Sequence, residues 1–189
     1  MHGSNCDPRV KGACMKKAVM VIAQDKFRDE ELFEPKAILE QAGVTVEVAS
    51  TSLSPALGML GAQVKPDLLV KDINVFEYDA IVFIGGMGAS QYWNDPVAHK
   101  LIWDAQSAGK LIAAICIAPV TLAKAGLLKG KKATVWASDA GQLLVAGVRY
   151  TGNNVEIDGN IITAAGPFAA REFAQALIQA LASKQKGTV

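Results

Sequence analysis

A doubly wound α/β fold, a mostly parallel sheet sandwiched by helices, is what this sequence predicts, and three observations predict it. Nearly continuous apolar runs of strand length recur at residues 17–23 (KAVMVIA), 80–84 (AIVFI) and 111–115 (LIAAI), as expected of strands buried on both faces. The stretches between them carry helical apolar spacing and stop at glycines, Gly43, Gly109 and Gly126. Strand and helix alternate along the whole chain, which is the signature of βαβ units.

In order, residues 17–23 form the first strand. Residues 29–42 follow as an amphipathic helix with apolar positions Leu32, Phe33, Ile38 and Leu39, and residues 44–49 (VTVEVA) return as a strand. Residues 50–72 hold two prolines and two glycines between short apolar pieces and read as a small hairpin excursion. The strand at 80–84 runs into Gly85-Gly86-Met87-Gly88, and Asp95-Pro96 opens a helix that reaches Ala108. The strand at 111–115 leads directly into Cys116, and residues 118–125 are helical. A strand near 133–136, a helix near 141–146, strand pieces at 148–150 and 160–164 and a closing helix over 168–184 complete the alternation.

The 189 residues, 51% of them apolar, suit one domain, expected over residues 17–185. Residues 1–16 have no apolar core of a signal peptide and read as a poorly ordered leader or tag. A formal net charge of +1, with charges interspersed, gives no footprint for nucleic acid or an anionic membrane. No apolar run approaches the ~20 residues of a membrane span. Three cysteines, Cys6, Cys14 and Cys116, are no disulfide framework, and a cytoplasmic location is expected. No Cys/His spacing suggests a metal, no glycine fingerprint suggests a dinucleotide, and no cofactor is expected.

In a doubly wound sheet the site lies at the carboxyl ends of the strands. Three segments meet there: the loop 24–31, the pair Gly85-Gly86, and Ala114-Ile115-Cys116-Ile117-Ala118. In the last, a strand becomes a helix with no linker, and small residues two before and two after the central one avoid clashes. That is the pattern of a nucleophile elbow, with cysteine for serine. A thiol there would sit at a helix N-terminus, which favours the thiolate; the plainer reading is a buried structural cysteine. Gly85-Gly86 could turn backbone N–H groups toward the same space and, with the N–H of Ile117, bind an anion; alternatively the pair is only a tight turn. The acids Asp29, Glu30, Glu31 and Glu34 match a helix N-terminus on a solvated face. Glu31, directly before Leu32-Phe33, is the one placed to point inward, where burial and a neighbouring thiolate would raise its pKa. The histidines are His2 in the leader and His99 on a helix, where it reads as a surface residue, so a cysteine–histidine pair is not expected.

At these residues the chain resembles the DJ-1/PfpI superfamily. AAICIAPVTLAKAGLLKGKKAT is similar to its cysteine elbow, FRDEELFEPKAILEQAGVTVEVAS to its first helix and second strand, and AIVFIGGMGA to its glycine-pair strand. DGNIITAAGPFAAREFAQALIQAL is similar to its last strand and helix. The resemblance runs from Met15 to Leu181. It implies a flavodoxin-like sandwich, a homodimer or larger homo-oligomer, a Cys116–Glu31 dyad, and an anion hole from the Gly86 and Ile117 N–H groups.

Departures from the pattern limit what is inherited. The protease-like branch has histidine after the cysteine, where this chain has Ile117. The DJ-1 branch has histidine one strand on, where this chain has Trp136, and a basic residue where Ala165 precedes Gly166-Pro167. The leading expectation is therefore a cysteine–glutamate protein acting on a small electrophile (glyoxalase- or deglycase-like) or on an oxidant. The alternatives are an intracellular cysteine peptidase or amide hydrolase, and a non-catalytic chaperone-like binding module.

Overall fold

The computed structural model describes residues 15–183. The expected leader falls mainly on residues 1–14, outside the described residues. Lys16, assigned to that leader, belongs to the domain: its carbonyl accepts the Thr45 N–H at 2.8 Å and its ammonium pairs with Asp79 at 3.0 Å.

The elements are β1 (Lys17–Val21), β2 (Asp25–Phe27), α1 (Asp29–Gln41), β3 (Thr45–Ser50), β4 (Ala56–Gly58), β5 (Gln63–Val64), β6 (Leu68–Leu69), β7 (Ala80–Phe83), α2 (Pro96–Ser107), β8 (Leu111–Ile115), α3 (Pro119–Lys124), β9 (Lys132–Ala133), α4 (Ala140–Val145), β10 (Arg149–Tyr150), β11 (Val155–Asp158), β12 (Ile161–Ala164) and α5 (Ala170–Ser183). Seven strands form the main sheet in the order β11-β12-β8-β7-β1-β3-β6. All neighbours are parallel except β11, which pairs antiparallel with β12 at the edge. This is the flavodoxin-like arrangement. The chain winds outward from β1 through β3 and then returns to β7 on the other side of β1. The crevice at that switch is where such sheets hold their ligands.

Alternation along the central strands divides the core in two. Val19, Val21, Ile81, Phe83, Ile112 and Ala114 pack on the face carrying α2, α3 and α4. Ala18, Met20, Ile22, Val82, Ala113 and Ile115 pack on the face carrying α1 and α5. Both faces are dry, which is why the strands read as continuous apolar runs.

Several local expectations change. Phe33 faces solvent, and Leu32 with Leu39 anchors α1 instead. The excursion after β3 holds the β4–β5 hairpin, but β4 also pairs with β2, a strand inside the first loop, and β6 joins the main sheet. The strand expected near 133–136 stops at Ala133, where its partner β10 ends, and a short 3-10 turn over Ala137–Asp139 takes its place.

Candidate active site

The loop after β1, the glycine pair after β7 and the elbow after β8 meet at one end of the sheet, as the strand order requires. Cys116 has φ of +63°, a left-handed conformation that costs a non-glycine residue of order 1–3 kcal/mol. Its backbone is held from two sides. Its N–H donates to Ala164 O at 2.9 Å, and its carbonyl accepts the Trp136 N–H at 2.9 Å. Ala114 and Ala118 are both buried beside it, where larger side chains would not fit a linkerless turn.

Glu31 is fully buried in the first turn of α1. Its Oε2 accepts the Gly85 N–H at 3.0 Å, whereas Oε1 is buried without a hydrogen-bond partner. The thiol of Cys116 is the group within this carboxyl's reach. Gly85 makes the approach possible. A Cβ there would lie 2.5 Å from Glu31 Oε2, 2.5 Å from Cys116 Cβ and 2.8 Å from Ile115 O. The backbone N–H groups of Gly86 and Ile117 also act on the sulfur. All five residues expected at the site, Cys116, Glu31, Gly85, Gly86 and Ile117, are therefore brought together.

The electrostatics differ from expectation in one respect. The Cys116 thiol is not lowered by the helix after it; it is pushed up to about 12, first by burial, then by the Glu31 carboxylate. The Gly86 and Ile117 N–H groups pull the other way and lose. Helix α3 has only six residues and begins at Pro119, so its dipole is small. Glu31 is raised from 4.5 to about 7, again first by burial, with the Cys116 and Gly85 hydrogen bonds pulling back. The two groups titrate as a pair. They release one proton near neutrality and resist releasing the second, because two negative charges cannot share so small a dry volume.

A cavity of about 540 Å³ opens over the sulfur, with Gly86, Cys116 and Ile117 in its lining. Arg28, Met59, Met87, Trp93 and Trp136 contribute to its walls. Sequence reasoning reached Trp136 only as a departure from a family pattern and did not reach the others. Arg28 lay in the loop already assigned to this edge; its guanidinium is held by both oxygens of Glu30, at 2.8 and 3.0 Å. Met59 had no readable signal, since it arrives on the β4–β5 hairpin. That hairpin is fixed by Asp29, whose buried carboxylate accepts the Leu60 and Ala62 N–H groups at 2.9 and 3.0 Å. The acidic cluster thus divides: Asp29 holds a loop, Glu30 holds Arg28, and Glu31 meets the thiol.

His99 is half-buried with Nε2 2.9 Å from Trp93 O, and does not line the cavity. Among the described residues no cluster of three or more His, Cys, Asp or Glu side chains could hold a metal ion, and no helix is long and apolar enough to cross a membrane.

A buried thiol on an elbow, a carboxyl against it and backbone donors around it define a class of α/β proteins with a single cysteine centre. The family follows from comparison: the model described as the DJ-1/PfpI family matches residues 16–180, and the chain belongs to that family. A protein of Methanocaldococcus jannaschii, itself uncharacterised, is 43% identical over 168 residues, 87% of this chain and 82% of its own. A deglycase of Pyrococcus furiosus is 31% identical over 149 residues, 79% of this chain and 90% of its own. A glutathione-independent glyoxalase of Caenorhabditis elegans is 29% identical over 174 residues, 92% and 93% of the two chains. Among solved structures, a ThiJ/PfpI domain protein from Brachyspira murdochii superposes with a TM-score of 0.87 at 34% identity, covering 88% of this chain and 96% of that one.

Proposed function

We propose that this protein converts small α-oxoaldehydes to 2-hydroxy acids, with Cys116 as nucleophile and Glu31 as proton carrier. The observation that carries the reading is the pair itself: a buried thiol against a carboxyl raised to about 7. Such a carboxyl is near the ideal for moving protons at neutral pH. The thiol adds across the aldehyde C=O, forming an S–C bond, while its proton passes through Glu31 to the carbonyl oxygen. The Gly86 and Ile117 N–H groups steady the oxygen or sulfur as charge develops. Glu31 then takes the hydrogen of the former aldehyde carbon as a proton and returns it to the ketone carbon through an enediol, while the hydroxyl proton passes from the first oxygen to the second. One carbon is oxidised and its neighbour reduced, so no outside oxidant enters. Water hydrolyses the resulting thioester, releasing the acid and restoring the thiol. The names of the worm and archaeal relatives, glyoxalase and deglycase, support the same chemistry.

This reading is favoured over peroxide sensing by the resting state of the sulfur. Peroxide attacks a standing thiolate, which burial and the Glu31 carboxylate both disfavour here. Carbonyl addition needs the proton removed only as the bond forms. A peptidase reading lacks the usual cysteine–histidine pair, since among the described residues the lone imidazole, His99, is turned to Trp93 O. Purified protein supplied with methylglyoxal should yield lactate, and Cys116→Ala and Glu31→Gln should each reduce the rate by at least about a hundredfold. Full activity in either variant overturns the reading. We also propose that the chain works as a homodimer or larger homo-oligomer in the cytoplasm; sedimentation showing only monomer at micromolar concentration would count against the assembly.

A further inference from the structure

We infer that the cavity selects α-oxoaldehydes carrying an aryl or comparably bulky apolar substituent, with Trp136 as the specificity-determining residue. This rests on the oxoaldehyde reading above and names the substrate class within it.

The volume comes first. About 540 Å³ lies within the range of about 300–1,000 Å³ typical of pockets for drug-sized ligands. A three-carbon oxoaldehyde would occupy only the floor around the sulfur and leave the walls wet. Beside Arg28, Ser90, Ser138 and Asp139, the walls carry large apolar side chains that are partly uncovered: Trp136 is 40% exposed and Met87 62% exposed, and Phe168, packed on Trp136, is 65% exposed. Single exposed apolar side chains are ordinary, but a group of large ones at a cavity mouth marks a binding surface.

The indole is also placed with precision. The backbone N–H of Trp136 donates to the carbonyl of Cys116, so the residue bearing the ring is tied to the nucleophile's own peptide. The ring lies over Gly166, where a Cβ would come within 2.7 Å of Cε3 and 2.8 Å of Cζ3. Gly166 therefore makes room for the indole, and any side chain there would push the ring away. Phe168 backs it, with ring centroids 6.2 Å apart at 45°, inside the range of favourable aromatic pairs. What remains is a supported flat π-surface in the cavity that Cys116 also lines, with Met59 and Met87 as adaptable walls. An aryl group on the ketone carbon would stack on the indole while the aldehyde carbon meets Cys116. A methyl group offers the indole nothing to stack.

The test compares phenylglyoxal with methylglyoxal in initial-rate assays, and reads the ratio of their kcat/KM values. Wild-type protein should prefer phenylglyoxal, and the ratio should fall about tenfold in Trp136→Ala, the size expected for a lost stacking and burial contact. Phe168→Ala, at a more exposed position, should lower the ratio in the same direction by a smaller factor and guards against misfolding of the first variant. An unchanged ratio in both variants overturns the inference. A second readout needs no chemistry: saturation-transfer NMR on Cys116→Ala with acetophenone, an aryl ketone lacking the aldehyde. Binding that disappears on adding Trp136→Ala supports the aryl subsite even if no substrate is turned over, in which case it is the oxoaldehyde reading that fails. Turnover of both aldehydes with an unchanged ratio and no acetophenone binding keeps the chemistry and overturns the subsite.

Discussion

Glu31 and Cys116 meet across Gly85, which donates its N–H to the carboxylate at 3.0 Å and leaves empty the space a side chain would fill between them. The pair is a tertiary contact. Glu31 arrives on α1, reached from β1 through the short β2, Cys116 follows β8, and Gly85 follows β7, which lies between β1 and β8 in the sheet.

Gly85→Ala tests that contact directly. The added methyl would lie 2.5 Å from both Cys116 Cβ and Glu31 Oε2, so the two must part. We expect kcat/KM to fall about a hundredfold, as for small misplacements at other reacting centres, with a stability loss of about 1–3 kcal/mol from overpacking. Wild-type kinetics in a folded Gly85→Ala protein would show that the carboxyl need not touch the thiol.

Glu31 should leave a signature in the pH dependence of both rate and stability. Turnover should rise with pH through about 7 as the carboxylate forms, and Glu31→Gln should lack that limb. Stability runs the other way. The folded state holds the Glu31 proton up to about 7 and the unfolded state only to about 4.5, so stability falls as pH rises through that window. Over two and a half pH units at about 1.4 kcal/mol each, Glu31→Gln should gain roughly 3 kcal/mol on wild type between pH 4.5 and 7.5. Denaturant titrations at the two pH values check the sign, and a constant difference would contradict it.

The two candidate chemistries of the sulfur should respond oppositely to one substitution. Because the Glu31 carboxylate helps hold the Cys116 thiol up, Glu31→Gln should quicken reaction with hydrogen peroxide at pH 7.5 while stopping oxoaldehyde turnover. Peptide mass spectrometry of Cys116 reads the first and lactate formation the second. Slower peroxide reaction in this variant would mean that the carboxyl activates the sulfur.

Asp29 should control the hairpin rather than the chemistry. Asp29→Ala removes the acceptor for the Leu60 and Ala62 N–H groups, and a loss of about 2 kcal/mol is expected. In a protein of this size that lowers Tm by about 5 °C. Met59, between Gly58 and Leu60, should lose its place in the cavity wall, raising KM more than it lowers kcat. Asp29→Asn keeps one acceptor and should do less.

The central strands and the elbow were legible because each has a local cause, whereas the pairing of Cys116 with Glu31 came with the family resemblance. Strands buried on both faces must be apolar throughout, and a linkerless turn must have small flanks around Cys116. Helix and loop details were less legible. Phe33 fits a helical stripe as well as Leu32 does, and nothing local shows that α5 and β3 cover only one side of α1. The division of Asp29, Glu30 and Glu31 into three roles depends on what each meets far along the chain. The burial that raises the sulfur was hidden for the same reason. A helix start is visible in sequence, but the burial of Cys116 and the charge on Glu31 act only after folding.

The left-handed backbone of Cys116 has a consequence for the protein's durability. Glycine adopts that conformation freely, whereas cysteine is held in it by the bonds to Ala164 and Trp136. A Cys116→Gly chain, chemically inert, should therefore outlast a Cys116→Ala chain on heating and could outlast the wild type as well. Under the proposed function, reactivity and robustness are opposed at a single torsion angle.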